Sequence, residues 1–119
     1  MARVATVGML VPNLFVQVPV DAAIRGVGAH PLVLRSAADE RVSECTVVIV
    51  DLAALGAAPG KAIRSMRARH AEVLAFAPHV EAERLREARE AGAVALARGA
   101  FLARLPELLA GALGPSEGE

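Results

Sequence analysis

The sequence predicts an α/β fold: a doubly wound, five-stranded parallel sheet with strand order 2-1-3-4-5. First, the run Thr46–Asp51 is almost wholly apolar and β-branched, which is typical of a strand buried on both faces of a parallel sheet. Second, strand-like and helix-like segments alternate, which indicates right-handed crossovers with helices on both faces. Third, the 119 residues fit one domain, predicted over 1–113, followed by a polar, disordered tail over 114–119.

The first half of the chain reads in order as strand 4–10, turn 11–13, helix 14–26, strand 32–35 and surface helix 36–44. Pro19 indicates either a kink in the first helix or a helix that begins at Pro19 after an irregular turn. Gly26 and Gly28 end that helix. His30-Pro31 then opens the short second strand. Gly8, inside the first strand, indicates the close approach of a helix.

The second half reads in order as strand 46–51, loop 52–60, helix 61–70, strand 73–77, helix 81–91, strand 93–97 and helix 106–113. Gly56 and Pro59-Gly60 indicate the loop. Pro78 ends the fourth strand, and Gly92 caps the helix that follows it. In the last helix, Leu105, Leu108 and Leu109 are predicted to face the core.

Composition argues against several classes of function. Thirteen basic and thirteen acidic residues cancel, and the chain has no Trp or Tyr, so neither charge nor stacking aromatics favour nucleic-acid binding. No window reaches the ~18–20 uncharged apolar residues of a membrane span. The single cysteine, Cys45, has no internal partner, which favours a reducing cytoplasm. His30, His70, His79 and Cys45 fall at different ends of the predicted sheet, so neither a metal site nor a cofactor is expected.

The predicted strand order places a switch point between strands 1 and 3, where ligands bind beyond the carboxyl ends of the strands. A cleft there would be lined by Val11, Pro12 and Asn13 after strand 1, by Asp51 after strand 3, and by Ala77, Pro78 and His79 after strand 4. Each polar member has two readings. Asn13 is either a ligand contact or the N-cap of the first helix. His79 is either a base or phosphate contact, or a solvated loop histidine.

Several segments together resemble a response-regulator receiver domain, a CheY-like, flavodoxin-like fold, over nearly the whole chain. They are Val47-Val48-Ile49-Val50-Asp51, Pro59-Gly60, Phe76-Ala77-Pro78-His79, Ala91-Gly92-Ala93 and a last helix opened by Phe101 and closed by Leu108-Leu109. The resemblance implies that Asp51 stands at the phospho-acceptor position of such domains.

The other residues that the resemblance asks for differ here. Receivers place two acidic residues after the first strand to hold Mg²⁺, a hydroxyl residue after the fourth strand and a Lys after the fifth. This chain has Val11-Pro12-Asn13, Ala77 and Arg98-Gly99 at those places. Asp51 is therefore interpreted as a vestigial phospho-acceptor that caps the following loop, with a true phospho-acceptor using unorthodox metal ligands as the alternative.

The preferred function is a stand-alone, degenerate receiver-like domain that signals by binding another protein or a second copy of itself, without enzymatic activity. In receivers the usual partner surface combines the fourth helix, fifth strand and fifth helix. Here that surface would present Arg84, Arg98, Phe101, Leu102 and Arg104. Phe101 is read either as the interface anchor or as ordinary core under the last helix. A small-molecule binding domain at the switch-point cleft is the second hypothesis.

Overall fold

The computed structural model describes residues 4–114, which form one parallel sheet in the order β2-β1-β3-β4-β5. The strands are β1 (Thr6–Leu10), β2 (His30–Val33), β3 (Val47–Asp51), β4 (Glu72–Ala77) and β5 (Val94–Ala97). All four neighbouring pairs are parallel, so the predicted fold class and strand order are confirmed. Apart from Gly114, the tail predicted to be disordered lies outside the described residues.

The α-helices of the described chain are α1 (Leu14–Gly26), α2 (Pro59–Ala68), α3 (Ala82–Glu90) and α4 (Arg98–Leu113). One core cluster lies between the sheet and the pair α1 and α4, and a second lies between the sheet and the pair α2 and α3. Helices therefore cover both faces, as the crossover rule requires. Within residues 4–114, no helix combines the length and the apolar character that crossing a membrane requires.

The central strand is β3, as the apolar run predicts. Val47 to Val50 are fully buried. Val48 and Val50 belong to the core cluster under α2 and α3, whereas Val47 and Ile49 belong to the cluster under α1 and α4. A strand that contributes side chains to two cores cannot alternate between apolar and polar residues, and this explains its uninterrupted apolar sequence.

Two helices contain an internal proline, and the boundary predicted for the last helix is wrong. α1 runs without a break through Pro19, and α4 begins at Arg98 instead of Pro106. Both prolines lie on the exposed side of their helices, where the carbonyl that loses its helical partner remains open to water. On the inner side, Phe101, Leu105 and Leu109 recur every four residues and are buried. Their burial offsets the roughly 3 kcal/mol that an internal proline costs.

The connection between β2 and β3 contains a short 3₁₀ helix (Glu40–Glu44) in place of the predicted surface helix 36–44. Asp39 caps it and is the buried polar residue of the described core. Its carboxylate accepts hydrogen bonds from the backbone N–H groups of Arg35 and Arg41, both at 3.0 Å, and from the Arg41 guanidinium at 2.9 Å. Arg69 of the chain after α2 donates to the Asp39 carbonyl at 3.0 Å. The Asp39 carboxylate thus holds the two sides of this connection, Arg35 and Arg41, together.

Gly8 of β1 marks a close approach, as predicted, but the neighbours are side chains and not a helix. A Cβ built at Gly8 would lie 2.6 Å from Leu34 Cδ1 and 2.9 Å from Cys45 Sγ. The Cys45 side chain is buried against β1, and its Sγ lies 3.5 Å from the Arg41 carbonyl oxygen. Burial raises the pKa of the Cys45 thiol.

Candidate functional site

The carboxyl end of the sheet brings together the strand ends that the sequence predicts. β3 pairs with both β1 and β4, so the residues that follow these three strands share one edge. Asp51 is the last residue of β3 and pairs in register with Phe76 of β4. Ala77 is the last residue of β4. The fold therefore places the residues after these strands at one edge, and their local contacts decide what each can do.

Asn13 has the N-cap role. Its Oδ1 accepts a hydrogen bond from the Phe15 N–H at 2.8 Å, and its backbone is extended immediately before α1. An Asn in this position satisfies one of the N–H groups that the first turn of a helix leaves unpaired. The Asn13 side chain is thus committed to the start of α1.

Asp51 caps the segment that follows it. Its Oδ1 accepts a hydrogen bond from the Ala53 N–H at 3.0 Å, at the start of a 3₁₀ helix (Leu52–Leu55). This helix occupies much of the predicted loop 52–60, and α2 follows at Pro59. Asp51 is half-buried. Its Oδ1 is engaged in the local turn, and the residue keeps some exposure to solvent.

The remaining residues of this edge offer little acid–base or electrostatic chemistry to Asp51. Ala77 is buried and has no hydroxyl, and His79 lies exposed in the turn before α3. Arg98, which follows β5, is exposed as the first residue of α4. Within residues 4–114, no group of three or more His, Cys, Asp or Glu side chains is arranged to hold a metal ion.

A cleft of about 430 Å³ opens at this end of the sheet, on the side of the edge strand β2. Val11 and Pro12 line it after β1, Leu34 and Arg35 after β2, and Ala54 from the 3₁₀ helix. Asn13, Asp51, Ala77 and His79 do not line it. Val11 and Pro12, which belong to the predicted switch-point site, do line this cleft, and the rest of it extends along β2.

Arg84 of α3 holds the loop after Asp51. Its Nη2 donates to the carbonyl oxygens of Leu52 at 2.7 Å and Gly56 at 2.9 Å. Its Nε lies 3.3 Å from Glu81 Oε1. Arg84 is predicted from the sequence to lie in a partner interface, whereas in the structure its Nη2 and Nε make contacts inside the molecule, because a guanidinium can bridge two carbonyls at once.

Phe101 does not face solvent. Its exposed fraction is 0%, and its ring centroid lies 5.0 Å from that of Phe76. The reading of Phe101 as an exposed interface anchor is therefore corrected to the alternative, a core residue under α4. The physical reason is the early start of α4, which puts Phe101 in line with Leu105. Leu102 is half-buried, and Arg104 is exposed on the outer side.

Two features of the structure are not predicted from the sequence. One is the buried Asp39 with its arginines, whose pKa the Arg41 hydrogen bonds hold well below the usual range of a carboxylic acid. The other is the apolar outer side of α1, where Leu14, Phe15 and Val18 are exposed. The signal for the second was present, since Gln17, Asp21 and Arg25 are the polar side chains of this 13-residue helix.

No family model and no curated protein matches the sequence. Solved structures do match the fold. A response regulator from Thermotoga maritima superimposes with a TM-score of 0.74 at 19% identity, covering 93% of this chain and 98% of the other. A receiver domain protein from Clostridium thermocellum gives 0.75 at 16% identity, with 92% and 94% covered. A CheY-like receiver domain protein from Methanospirillum hungatei gives 0.69 at 9% identity, with 93% and 98% covered. The chain therefore has the fold of a response-regulator receiver domain.

Proposed function

We propose that this chain is a non-enzymatic, receiver-like signalling module that acts in the cytoplasm by binding a protein, and that it needs neither a cofactor nor phosphorylation of Asp51. The observation that carries the proposal is a set of three internal hydrogen bonds around Asp51. The carboxylate caps the Leu52–Leu55 helix, and Arg84 of α3 donates to Leu52, at the start of that helix, and to Gly56, just after its end.

Phosphoryl transfer to a carboxylate depends on positive charge and hydrogen-bond donors that surround the developing charge. The residues after β1 offer no second carboxylate to share a cation with Asp51: Val11 is buried, Pro12 has no suitable group and Asn13 caps α1. After β4, Ala77 cannot donate a hydrogen bond to a phosphoryl group. These residues support a module whose surface does not depend on a phosphoryl switch.

The Arg84 contacts also support a surface that does not depend on phosphorylation. A loop that follows a switching residue must be free to exchange one set of contacts for another. Here two charge-assisted hydrogen bonds from α3 hold the loop in one arrangement. We infer that the partner-binding surface is constitutive. Part of the predicted surface stays accessible for a protein partner, with exposed Arg98 and Arg104 beside the half-buried Leu102.

The test is intact-protein mass spectrometry after incubation with acetyl phosphate and Mg²⁺. We expect the mass of the wild-type protein to stay unchanged, as in the matched variant Asp51→Asn. A gain of one phosphoryl group that the Asp51→Asn variant does not show would contradict the proposal and favour a phospho-accepting response regulator. A binding partner that is retained equally by both proteins in a pull-down would support it.

A second candidate function is small-molecule binding, and the cleft beside β2 favours it. Its volume of about 430 Å³ falls within the range of roughly 300–1,000 Å³ that is typical of ligand sites. Met9, Val33 and Leu34 supply apolar walls, and Arg35 and Ser36 supply polar groups at the rim. Native mass spectrometry of the purified protein tests this candidate, because a bound ligand would appear as a mass that disappears on denaturation.

A further inference from the structure

The outward side of α1 is apolar and exposed. We define the α1 outer face as Leu14, Phe15, Val18, Pro19 and Ala22, all of which are exposed. The exposed fractions are 89% for Phe15, 68% for Leu14 and 67% for Val18. These residues are spaced by one, three or four positions, so they form one continuous surface on the helix.

The two helices on the opposite face of the sheet, α2 and α3, have charged outer sides, and the exposed side of α4 carries Arg104 and Glu107. α2 exposes Lys61, Arg64 and Arg67, and α3 exposes Glu83, Arg86 and Glu90. In α1 the inner side also is apolar, with Val16, Val20 and Ile24 buried, so this helix is apolar almost all round. Helices of that kind are normally covered on all sides, and contiguous exposed apolar patches mark contact surfaces.

A groove of about 230 Å³ separates α1 from the edge strand β2 and is lined by Met9, Gln17, Val18, Asp21 and Val33. Val33 is exposed on that strand. Because Gln17 and Asp21 lie in the groove, the continuous apolar surface is that of α1 itself, with Val18 at its border.

We propose that the α1 outer face is the contact surface between two copies of this chain, which pack α1 against α1 in antiparallel orientation about a two-fold axis near Val18. The charges are compatible with self-contact. The face itself carries no charge, and at its C-terminal end Asp21 and Arg25 of the same copy neutralise each other at 2.8 Å. The whole chain has a formal net charge of zero, so two copies do not repel each other.

The sizes of the side chains also fit a two-fold contact. The N-terminal end of the face is bulky, with Leu14 and Phe15, whereas the C-terminal end is small, with Ala22 followed by Gly26. An antiparallel pair sets the bulky end of each copy against the small end of the other, and the two Val18 side chains meet at the centre. Such isologous contacts are the commonest way in which soluble proteins form dimers.

The small contact area indicates that the dimer is weak. A helix of 13 residues is about 20 Å long, so an α1 pair with the adjoining groove is smaller than the standard interface of roughly 800 Å² per partner. We therefore expect a weak, concentration-dependent dimer. Sedimentation and light scattering from about 1 μM to about 1 mM should show the mass rising from 12.3 kDa toward twice that value.

Two substitutions on α1 and one control substitution test the surface. Phe15→Asp and Val18→Asp should raise the dissociation constant by about tenfold or more and keep the circular dichroism spectrum of the wild type, because both side chains are exposed. Val80→Asp is the matched control, since Val80 is 77% exposed and lies in the loop before α3. A wild type that stays monomeric throughout, or a dimer that survives both α1 substitutions, would overturn the proposal.

Disulfide trapping tests the orientation. Val18→Cys should form an intermolecular disulfide under mild oxidation much faster than Val80→Cys, because symmetry brings the two copies of residue 18 together. The native Cys45 is buried and adds little background. Equal rates for the two variants would contradict antiparallel packing about Val18. These measurements do not depend on whether Asp51 is phosphorylated. The dimer proposal and the proposed function can therefore be refuted independently of each other.

Discussion

Glu87 of α3 caps the N-terminus of α2: its Oε2 accepts a hydrogen bond from the backbone N–H of Gly60 at 3.0 Å. The residue before α2, Ala58, has no side chain that can cap it. A carboxylate from a neighbouring helix thus takes over the capping role and places negative charge at the positive end of the α2 dipole. The same contact fixes the spacing of α2 and α3 on their side of the sheet.

Glu87→Ala should lower the free energy of unfolding by about 1 kcal/mol, the usual effect of removing an N-cap. Glu87→Gln should lower the free energy of unfolding by less, because its amide oxygen can still accept a hydrogen bond from the Gly60 N–H. The measurement is a urea titration. Glu83→Ala is the control, since Glu83 lies on the same helix and pairs at the surface with Arg86. A loss in Glu83→Ala as large as that in Glu87→Ala would show that the cap contributes nothing specific.

Ile49→Ala should lower the free energy of unfolding by about 2–5 kcal/mol, because Ile49 is fully buried in the middle of β3 and its truncation leaves a cavity. Arg86→Ala should change stability little, since its pairs with Glu83 and Glu90 are solvent-exposed. Denaturant titrations of both variants measure the difference. Similar losses would be incompatible with β3 as the core strand.

Asp39 should make the protein lose stability in acid. The Arg41 side chain, followed by the Arg35 and Arg41 backbone N–H groups, lowers the pKa of Asp39 below its ordinary value of 3.8. A lowered pKa in the folded state stabilises the fold above the unfolded value, and this stabilisation is lost as the pH falls below about 4 toward the folded pKa. Thermal melts from pH 7 to pH 2 should show this decline.

Asp39→Asn should be less stable than the wild type at neutral pH and should show a shallower decline in acid, because the ionised acceptor is gone. Asp21→Asn is the matched control, since it removes an exposed carboxylate and leaves the Asp39 contacts intact. The pKa of Glu83 is also lowered, by Arg86, so the difference between wild type and Asp39→Asn is the relevant quantity. Parallel pH profiles for these two proteins would refute the role given to Asp39.

Arg84→Gln should loosen the loop after Asp51. Hydrogen–deuterium exchange over residues 52–56 should accelerate by about tenfold or more, since two charge-assisted hydrogen bonds are lost. Arg84→Lys should not restore protection fully, because a lysine lacks the Nε that lies 3.3 Å from Glu81 Oε1 and helps to hold the Arg84 side chain in place. Arg104→Gln, an exposed arginine of α4, should leave this loop unchanged. Unaltered exchange in Arg84→Gln would remove the main support for a constitutive surface.

The sequence is sufficient for the sheet because burial on both faces has a local signature. Val47 to Val50 are apolar without interruption, and that pattern fits a central parallel strand better than any other element. Strand order then follows from the number of crossover units and the usual topology of such sheets. The N-cap reading of Asn13 and the capping reading of Asp51 also rest on local bonds, two residues along the chain.

The environment of Phe101 was harder to predict because it depends on where α4 begins. Pro106 inside the helix concealed the four-residue spacing of Phe101, Leu105 and Leu109. The Asp39 carboxylate has local partners, Arg35 and Arg41, but the segment is also held by Arg69, which donates to the backbone carbonyls of Ala37 and Asp39. Arg69 lies thirty residues after Asp39, so the segment 36–44 contains no signal for this contact.

The buried Cys45 thiol is a built-in probe of local opening of the sheet. The Cys45 thiol sits against β1 where Gly8 leaves room for it, and burial keeps it protonated and shielded from reagents. A thiol-specific dye can reach it when β1 separates from the segment that leads into β3. The rate at which the dye reacts with the wild-type protein therefore measures how often this part of the sheet opens, and no cysteine has to be introduced.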